Sequence, residues 1–309
     1  MHLLVRETRS LDDDAPPVDL GQSPADLLFL SFSDSDLGAV AAAWQAMGAP
    51  RPSLRLASLA QLRHPMSVDR YLEQTAAGAR CVLVRLLGGL DYWRYGAEEL
   101  SALCGRAGIP LALLPSDARE DARLAALSTV DPVMRTRLDA LLREGGPVNV
   151  GRALDLAAHL AGHGPDPALP PVPLAPFGTH DFAVPSEGPA GRAALVFYRS
   201  HLLAADLAPL EALAAALAAQ GLGVRGLHVG SLKDGATAAF VAGRLQAWRP
   251  EVVLNATGFS ARRDGASPLD PPGAPVLQLL LAGAPRDAWA ASARGLSPAD
   301  LAMQVVLPE

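Results

Sequence analysis

Leu27-Leu-Phe-Leu30, followed by Ser33-Asp34-Ser35-Asp36 and then by residues 37–47, decides how this chain folds. Four consecutive apolar side chains leave no polar face, so the segment predicts a strand buried on both sides. The Ser and Asp cluster offers side-chain oxygens to the orphan N–H groups of a helix start, helical periodicity follows, and Gly48 stops it. The product is one βα unit. Its rhythm extends outward: 54–56 reads as a short strand, 68–77 as a helix, Cys81-Val-Leu-Val-Arg-Leu86 as a strand, 98–106 as a helix ended by Gly108, and 111–114 as a strand. Strands that alternate with helices are joined by crossovers, which makes the sheet parallel. Residues 132–160 read as helical throughout, broken at Gly145-Gly146-Pro147.

Residues 162–191 hold eight prolines and five glycines in thirty positions. So many breakers exclude packed regular structure and predict a linker, for which Phe177, His180 and Phe182 supply docking anchors. Beyond it the βα pattern resumes: Ala194-Leu-Val-Phe-Tyr198 and 224–229 as strands, 209–220 and 235–248 as helices, then strands at Val252-Val-Leu254 and 276–281. The predicted organisation is α/β: two open parallel-sheet domains, Rossmann-like or flavodoxin-like. Residues 1–161 form the first with a helical extension, 162–191 the Pro/Gly-rich linker, and 192–309 a second domain that repeats the first.

At 309 residues the chain is long enough to bury two cores. Arg, Asp and Gly interrupt its apolar stretches well short of the roughly 18 residues of a membrane span. The opening Met1-His2-Leu3-Leu4-Val5-Arg6-Glu7 lacks the basic start and long apolar core of a secretory signal, so a cytoplasmic location is expected. Cys81 and Cys104 have neither zinc-knuckle nor disulfide-framework spacing and read as reduced core residues. A formal net charge of −6 without a basic run argues against nucleic acid as a partner.

Gly221-Leu-Gly-Val-Arg-Gly226 matches the dinucleotide fingerprint by letter. It follows a helix and enters a strand, however, whereas a phosphate-binding turn leaves a strand and opens a helix. No P-loop and no Gly-x-Ser-x-Gly elbow is present, so the chain shows no nucleotide site and no serine nucleophile. Asp155, His159 and His163, at i, i+4 and i+8, would stack on one helix face but lack a further ligand. They read as a solvated face, and the metal ligands stay unassigned. More telling are polar loops after predicted strands: Arg85 with Gly88, Gly89, Tyr92, Trp93 and Tyr95; Tyr198 with Arg199, Ser200 and His201; Ser231 with Lys233; and Asn255 with Thr257, Gly258 and Phe259. The carboxyl ends of strands form the binding crevice of open α/β sheets. Each loop also has a plainer reading: Gly-Gly as a turn, Tyr92 and Tyr95 as core, Ser200 and Ser231 as caps, Arg85 as the partner of a buried acid. Together they outline a cleft between the domains that is rich in arginine, aromatic rings and amide groups.

The same segments carry a family resemblance. Asp19-Leu-Gly-Gln-Ser-Pro-Ala-Asp26, Ser53-Leu-Arg-Leu-Ala-Ser-Leu59, His64-Pro-Met-Ser-Val-Asp69, Arg85 with Gly88-Gly89, Phe197-Tyr-Arg-Ser200, Ser231-Leu-Lys-Asp234, Asn255-Ala-Thr-Gly-Phe259 and Gly273-Ala-Pro-Val-Leu-Gln278 resemble, in order, the N-terminal region of the CobN/magnesium chelatase large-subunit family. Members of that family are much longer, so the resemblance implies part of a larger subunit, inactive alone, with its second domain cut short.

It further implies ATP-dependent insertion of cobalt, the substrate ion, into hydrogenobyrinic acid a,c-diamide during aerobic cobalamin biosynthesis. ATP-Mg would sit on two smaller partner subunits, an AAA+ motor and an adaptor, with no cofactor held tightly by this chain. Arg85, Arg199 and Lys233 suit the corrin carboxylates, and Tyr92, Trp93, Tyr95, Tyr198 and Phe259 its flat ring. His64 and His201 are the candidate base or cobalt ligand, each with a core or capping role as the alternative. Competing expectations are a non-catalytic docking module, a stand-alone small-molecule binding protein, and part of a magnesium–porphyrin chelatase.

Overall fold

A computed structural model describes residues 16–117, 121–258, 261–262, 265–283, 286–293 and 295–301. The chain divides between Pro173 and Leu174 into two compact units. The first contains β1 (Leu27–Ser31), α1 (Asp34–Ala46), β2 (Leu54–Ser58), α2 (Pro65–Gln74), β3 (Cys81–Leu86), α3 (Arg94–Ala107), β4 (Leu111–Pro115), α4 (Ala122–Leu127), α5 (Pro132–Glu144) and α6 (Gly146–Leu160). Its sheet is wholly parallel in the order β2-β1-β3-β4. Side chains alternate along each strand, so the two faces build separate cores. Leu28, Leu30, Val82, Val84, Leu111 and Leu113 pack against α2, α3 and α4. Leu27, Phe29, Cys81, Leu83, Ala112 and Leu114 pack against α1, α5 and α6. Both free cysteines are buried, and burial pushes each thiol up to about 12, which makes them inert packing groups.

The second unit holds β5 (Phe177–His180), β6 (Arg192–Tyr198), α7 (Arg199–Leu203), α8 (Ala208–Ala219), β7 (Gly223–Val229), α9 (Gly235–Trp248), β8 (Val252–Asn255) and β9 (Val276–Gln278). The order β5-β7-β6-β8-β9 repeats the first sheet's pattern and adds β5 antiparallel to β7, so this sheet is mixed and not wholly parallel. α8 covers one face through Leu210 and Ala214, and α9 the other through Val241 and Leu245.

Several boundaries differ from the sequence reading, each for a local reason. α2 starts at Pro65, behind a His64 cap, and not at 68. α3 starts at Arg94 and not at 98; Trp93 makes no side-chain cap bond there, so no start signal is written in the sequence. α4 and α7 are short helices absent from that reading. Most informative is β5, which lies inside the stretch expected to lack regular structure. Four residues suffice because β7 supplies the ladder, and Phe177 stacks on Phe240 with ring centroids 5.0 Å apart. Earlier in the same stretch, Asn149 exchanges hydrogen bonds with the Val172 backbone and Arg137 makes a two-pronged pair with Asp166, so these residues dock on α6 and α5.

Candidate functional site

In the order β2-β1-β3-β4 the direction of strand addition switches between β1 and β3, and their carboxyl ends flank the switch point where open α/β sheets bind ligands. Ser31 and Arg85 are side by side there. Alternation along β3 sends Arg85 to the face of Cys81 and Leu83, toward α1, where its guanidinium meets Asp36 at 2.6 Å. The other oxygen of Asp36 accepts from Ser31 Oγ at 2.9 Å and Ser116 Oγ at 3.1 Å, and its backbone N–H is capped by Ser33. The side chains of Arg85 and Asp36 are 11% and 16% exposed, so this polar cluster joins three strands to one helix start in a largely dry setting. Arg85 Nε, also buried, makes no hydrogen bond among the described residues.

The turn after β3 is shaped by Gly88 and Gly89, with φ of +83° and +82°. The Tyr92 ring lies over Gly88 so closely that a Cβ there would sit 2.4 Å from it. Gly88 N–H donates to Asp117 at 3.3 Å and Leu90 N–H to Asp121 at 3.0 Å. Arg123 bridges Asp91 and Asp121, and Arg94 also pairs with Asp91, so the rim of this turn is an exposed ion-pair network. Tyr92 and Tyr95 are half exposed and present flat surface. Tyr95 also donates to Asp69 at 2.6 Å, a bond that holds its phenol up to about 12. Trp93 corrects the sequence reading: it is buried and donates to Leu62 O at 2.8 Å, so it belongs to the core.

The second sheet has its own switch point between β6 and β8, where the structure gathers six of the expected residues. Tyr198 ends β6 and its hydroxyl accepts from Gly258 N–H at 3.0 Å. Asn255 ends β8; its Oδ1 accepts from Thr257 N and Oγ1, and its Nδ2 donates to Gln278 Oε1. Gln278 closes the ring by donating to Thr257 O at 2.8 Å. Asn255 and Thr257 are buried, so their polar groups hold the loop in place. Arg199 and Ser200 open α7, and the Arg199 guanidinium donates to the carbonyls of Leu174 and Ala175. Ser231 accepts from Lys233 N–H, and Lys233 lines a cavity beside α9. Phe259 lies outside the described residues. Gln278, which the sequence reading quoted only as the end of a family motif and not as a site residue, pairs opposite Asn255 in the sheet.

His64 and His201 belong to different units. His64 caps α2 by accepting from Met66 N–H at Nδ1, 3.1 Å, which engages that lone pair. His201 Nδ1 lies 3.1 Å from Asp206 O, which makes Nδ1 the protonated nitrogen and leaves the lone pair on Nε2. α6 ends before His163, so Asp155, His159 and His163 do not form one helix face. His159 turns to Gly164 O and His163 to Asp26. No group of three potential metal ligands occurs among the described residues.

Two further histidines gather on the α8 face of the second sheet. Burial lowers both His180 and His228 below their ordinary range; Asp181 and Glu211 partly offset this at His180, and the Ala175 backbone at His228. Gly178 leaves room for the His228 ring, since a Cβ there would approach it to 2.6 Å. Both imidazoles therefore take up a proton less readily when folded than when unfolded. Their contribution is complete above the unfolded value of about 6.5 and is lost as pH falls from it through the lower folded values. The melting temperature should drop between pH 7 and pH 5, and His228→Phe should flatten that slope; an unchanged slope would exclude His228 as its source.

Two three-layer α/β units, each with polar loops gathered at the switch point of its sheet, define an open-sheet α/β protein. The CobN/Magnesium Chelatase family profile matches residues 140–309, more than half of the sequence, and the chain belongs to that family. Over its whole length it is 39% identical, across 337 aligned residues, to the aerobic cobaltochelatase subunit CobN of a Sinorhizobium species. It is 38% identical, across 322, to CobN of Pseudomonas aeruginosa. The chain spans about a quarter, 26%, of the length of these curated relatives. The catalytic subunit of cobaltochelatase from Mycobacterium tuberculosis shares the fold, with a TM-score of 0.70 at 24% identity over 91% of this chain and 23% of that one. No helix among the described residues is long and apolar enough to cross a membrane.

Proposed function

We propose that this chain is the part of a cobaltochelatase large subunit that grips the corrin precursor, hydrogenobyrinic acid a,c-diamide, during ATP-dependent cobalt insertion. The observation that supports this reading is the similarity to CobN, an alignment that covers the whole chain at 39% identity. The chemistry of the loops fits it. A metal enters a flat macrocycle only if the ring is held and bent while its inner nitrogens lose protons, so the protein needs cations for the ring carboxylates and flat surface for the ring. Within the second unit Arg199 and Lys233 supply cations; within the first, taken by itself, the Gly88-Gly89 turn presents Tyr92 and Tyr95. Tyr198, Ser200, Ser231, Asn255, Thr257 and Gly258 shape the loops that approach the ligand, and Arg85 anchors the first switch point. His201, with its lone pair on Nε2, is the better placed of the two histidines to accept a proton or meet cobalt. In this reading ATP-Mg is hydrolysed by two smaller partner subunits, a motor and an adaptor, and the complex works in the cytoplasm.

Absorbance titration of the 309-residue chain with the corrin precursor and, in parallel, with deuteroporphyrin tests the reading. A saturable shift with the corrinoid, at least about ten-fold tighter than with the porphyrin, is expected, a gap of about 1.4 kcal/mol. Preference for the porphyrin would move the chain to the magnesium branch of the family, and no binding of either would leave it a docking module.

A further inference from the structure

We propose that β5 is an acid-released strap: it closes on the edge of β7 at neutral pH and lifts from it locally in mild acid, while the rest of the second unit stays folded. β5 has only four residues, pairs with β7 alone and ends the order β5-β7-β6-β8-β9. Its flanks are pinned. The Arg199 guanidinium donates to the carbonyls of Leu174 and Ala175 before it, and Val224 N–H donates to Pro185 O after it at 2.9 Å. The stretch between the pins, 176–184, is therefore the part that can lift. Two aromatic side chains seat it: Phe177 against Phe240, and Phe182, which is buried. A short edge strand with few buried contacts opens at a free energy below that of global unfolding.

Two imidazoles lie where the strap meets β7. The register sets Gly178 opposite His228 and His180 opposite Gly226, so both rings share the α8 face. The β5 backbone at Gly178 rests on the His228 ring, as the 2.6 Å approach of a Cβ there shows, and Phe197 neighbours it on β6. His228 is 6% exposed, and neither ring nitrogen meets a hydrogen-bond partner among the described residues. An imidazolium in that place would hold two unpaired N–H donors and a charge, all of which water would satisfy. Lifting β5 uncovers the ring to that water. His180 is partly buried, edge-on to Phe182 and Phe197 with centroids 4.7 and 5.6 Å away. His201 of α7 also packs on Phe197, centroids 6.4 Å apart. Asp181 and Glu211 of α8 favour a charged His180; the Ala175 backbone favours a charged His228, and His180 and Arg199 oppose it. Burial outweighs the favourable groups, so both rings bind a proton more weakly with the strap closed. By linkage, closure is fully supported above the unfolded value of about 6.5 and weakens as pH falls from it through the lower folded values.

Hydrogen exchange of the 309-residue chain, read by mass spectrometry at pH 7.5 and pH 5.5 and corrected for the intrinsic rate, tests this on a peptide covering β5 and a reference peptide from β6. One fully titrating imidazole changes the opening constant about ten-fold per pH unit. In wild type the β5 peptide should be protected at pH 7.5 and lose at least about ten-fold of that protection at pH 5.5, with β6 changed by less than about three-fold. His228→Phe should cut the β5 loss to about three-fold or less. His180→Gln, at a partly exposed position, is the second arm and should reduce the loss at least about two-fold, whether or not the phenyl ring of the first variant lets β5 seat. Equal loss in β5 and β6 would make the acid effect global and overturn the strap. So would a wild-type β5 peptide unprotected at pH 7.5 or equally protected at both pH values, or a full wild-type loss in His180→Gln together with no relief in His228→Phe.

Discussion

Replacing Arg85 by alanine should lower the stability of the first unit by about 3–5 kcal/mol, the usual cost of leaving one member of a buried ion pair without its partner. Asp36 would keep its two serine donors but lose the guanidinium at 2.6 Å, in a place where water cannot substitute fully. For a unit of this size the loss corresponds to a fall in melting temperature on the order of 10 °C, readable by calorimetry. The paired replacement Arg85→Met with Asp36→Leu should recover part of it, because removing both charges also removes the unpaired acid. A wild-type melting temperature for Arg85→Ala, together with weakened corrinoid binding, would instead assign the guanidinium to the ligand.

The sequence already offered that ion pair as the plainer role for Arg85, but it could not name the acid. Asp36 is 49 positions away, and only the β1–β3 register brings Ser31, Asp36 and Arg85 to one strand end. The βα rhythm itself was legible because buried parallel strands are written as apolar runs, and helix stops such as Gly108, at φ +67°, as glycines in the left-handed region. What stayed hidden depends on partners distant in sequence. β5 has four residues and exists because β7 offers it an edge, among prolines that argue locally against any strand. α7 starts at Arg199, and Tyr198 before it makes no side-chain cap bond, so nothing in Arg199-Ser200-His201 marks a helix. Trp93 resembles its exposed neighbours Tyr92 and Tyr95 in sequence, yet its indole N–H reaches Leu62 O and takes the ring into the core.

The second switch point should respond to Asn255→Ala as a loop failure. Asn255 accepts two hydrogen bonds from Thr257 and donates one to Gln278, all in a buried setting. Alanine strands the Thr257 N–H and the Gln278 amide oxygen together, at about 1–3 kcal/mol for each buried group left unsatisfied. A total on the order of 3 kcal/mol is expected, enough to move the melting of the second unit by several degrees. The Asn-x-Thr turn positions Gly258 beneath the Tyr198 hydroxyl, so the same substitution should also loosen that 3.0 Å contact. Asn255→Asp keeps the acceptor for Thr257 but turns a carboxylate oxygen toward Gln278 Oε1 and buries a charge, so it should cost at least as much as alanine. The decisive comparison is melting temperature against corrinoid affinity. If Asn255 acts through the loop, both fall together in Asn255→Ala and in Asn255→Asp. A variant with unchanged melting temperature and about ten-fold weaker binding would show that the amide turns outward to the ligand, against the ring of hydrogen bonds it makes with Thr257 and Gln278.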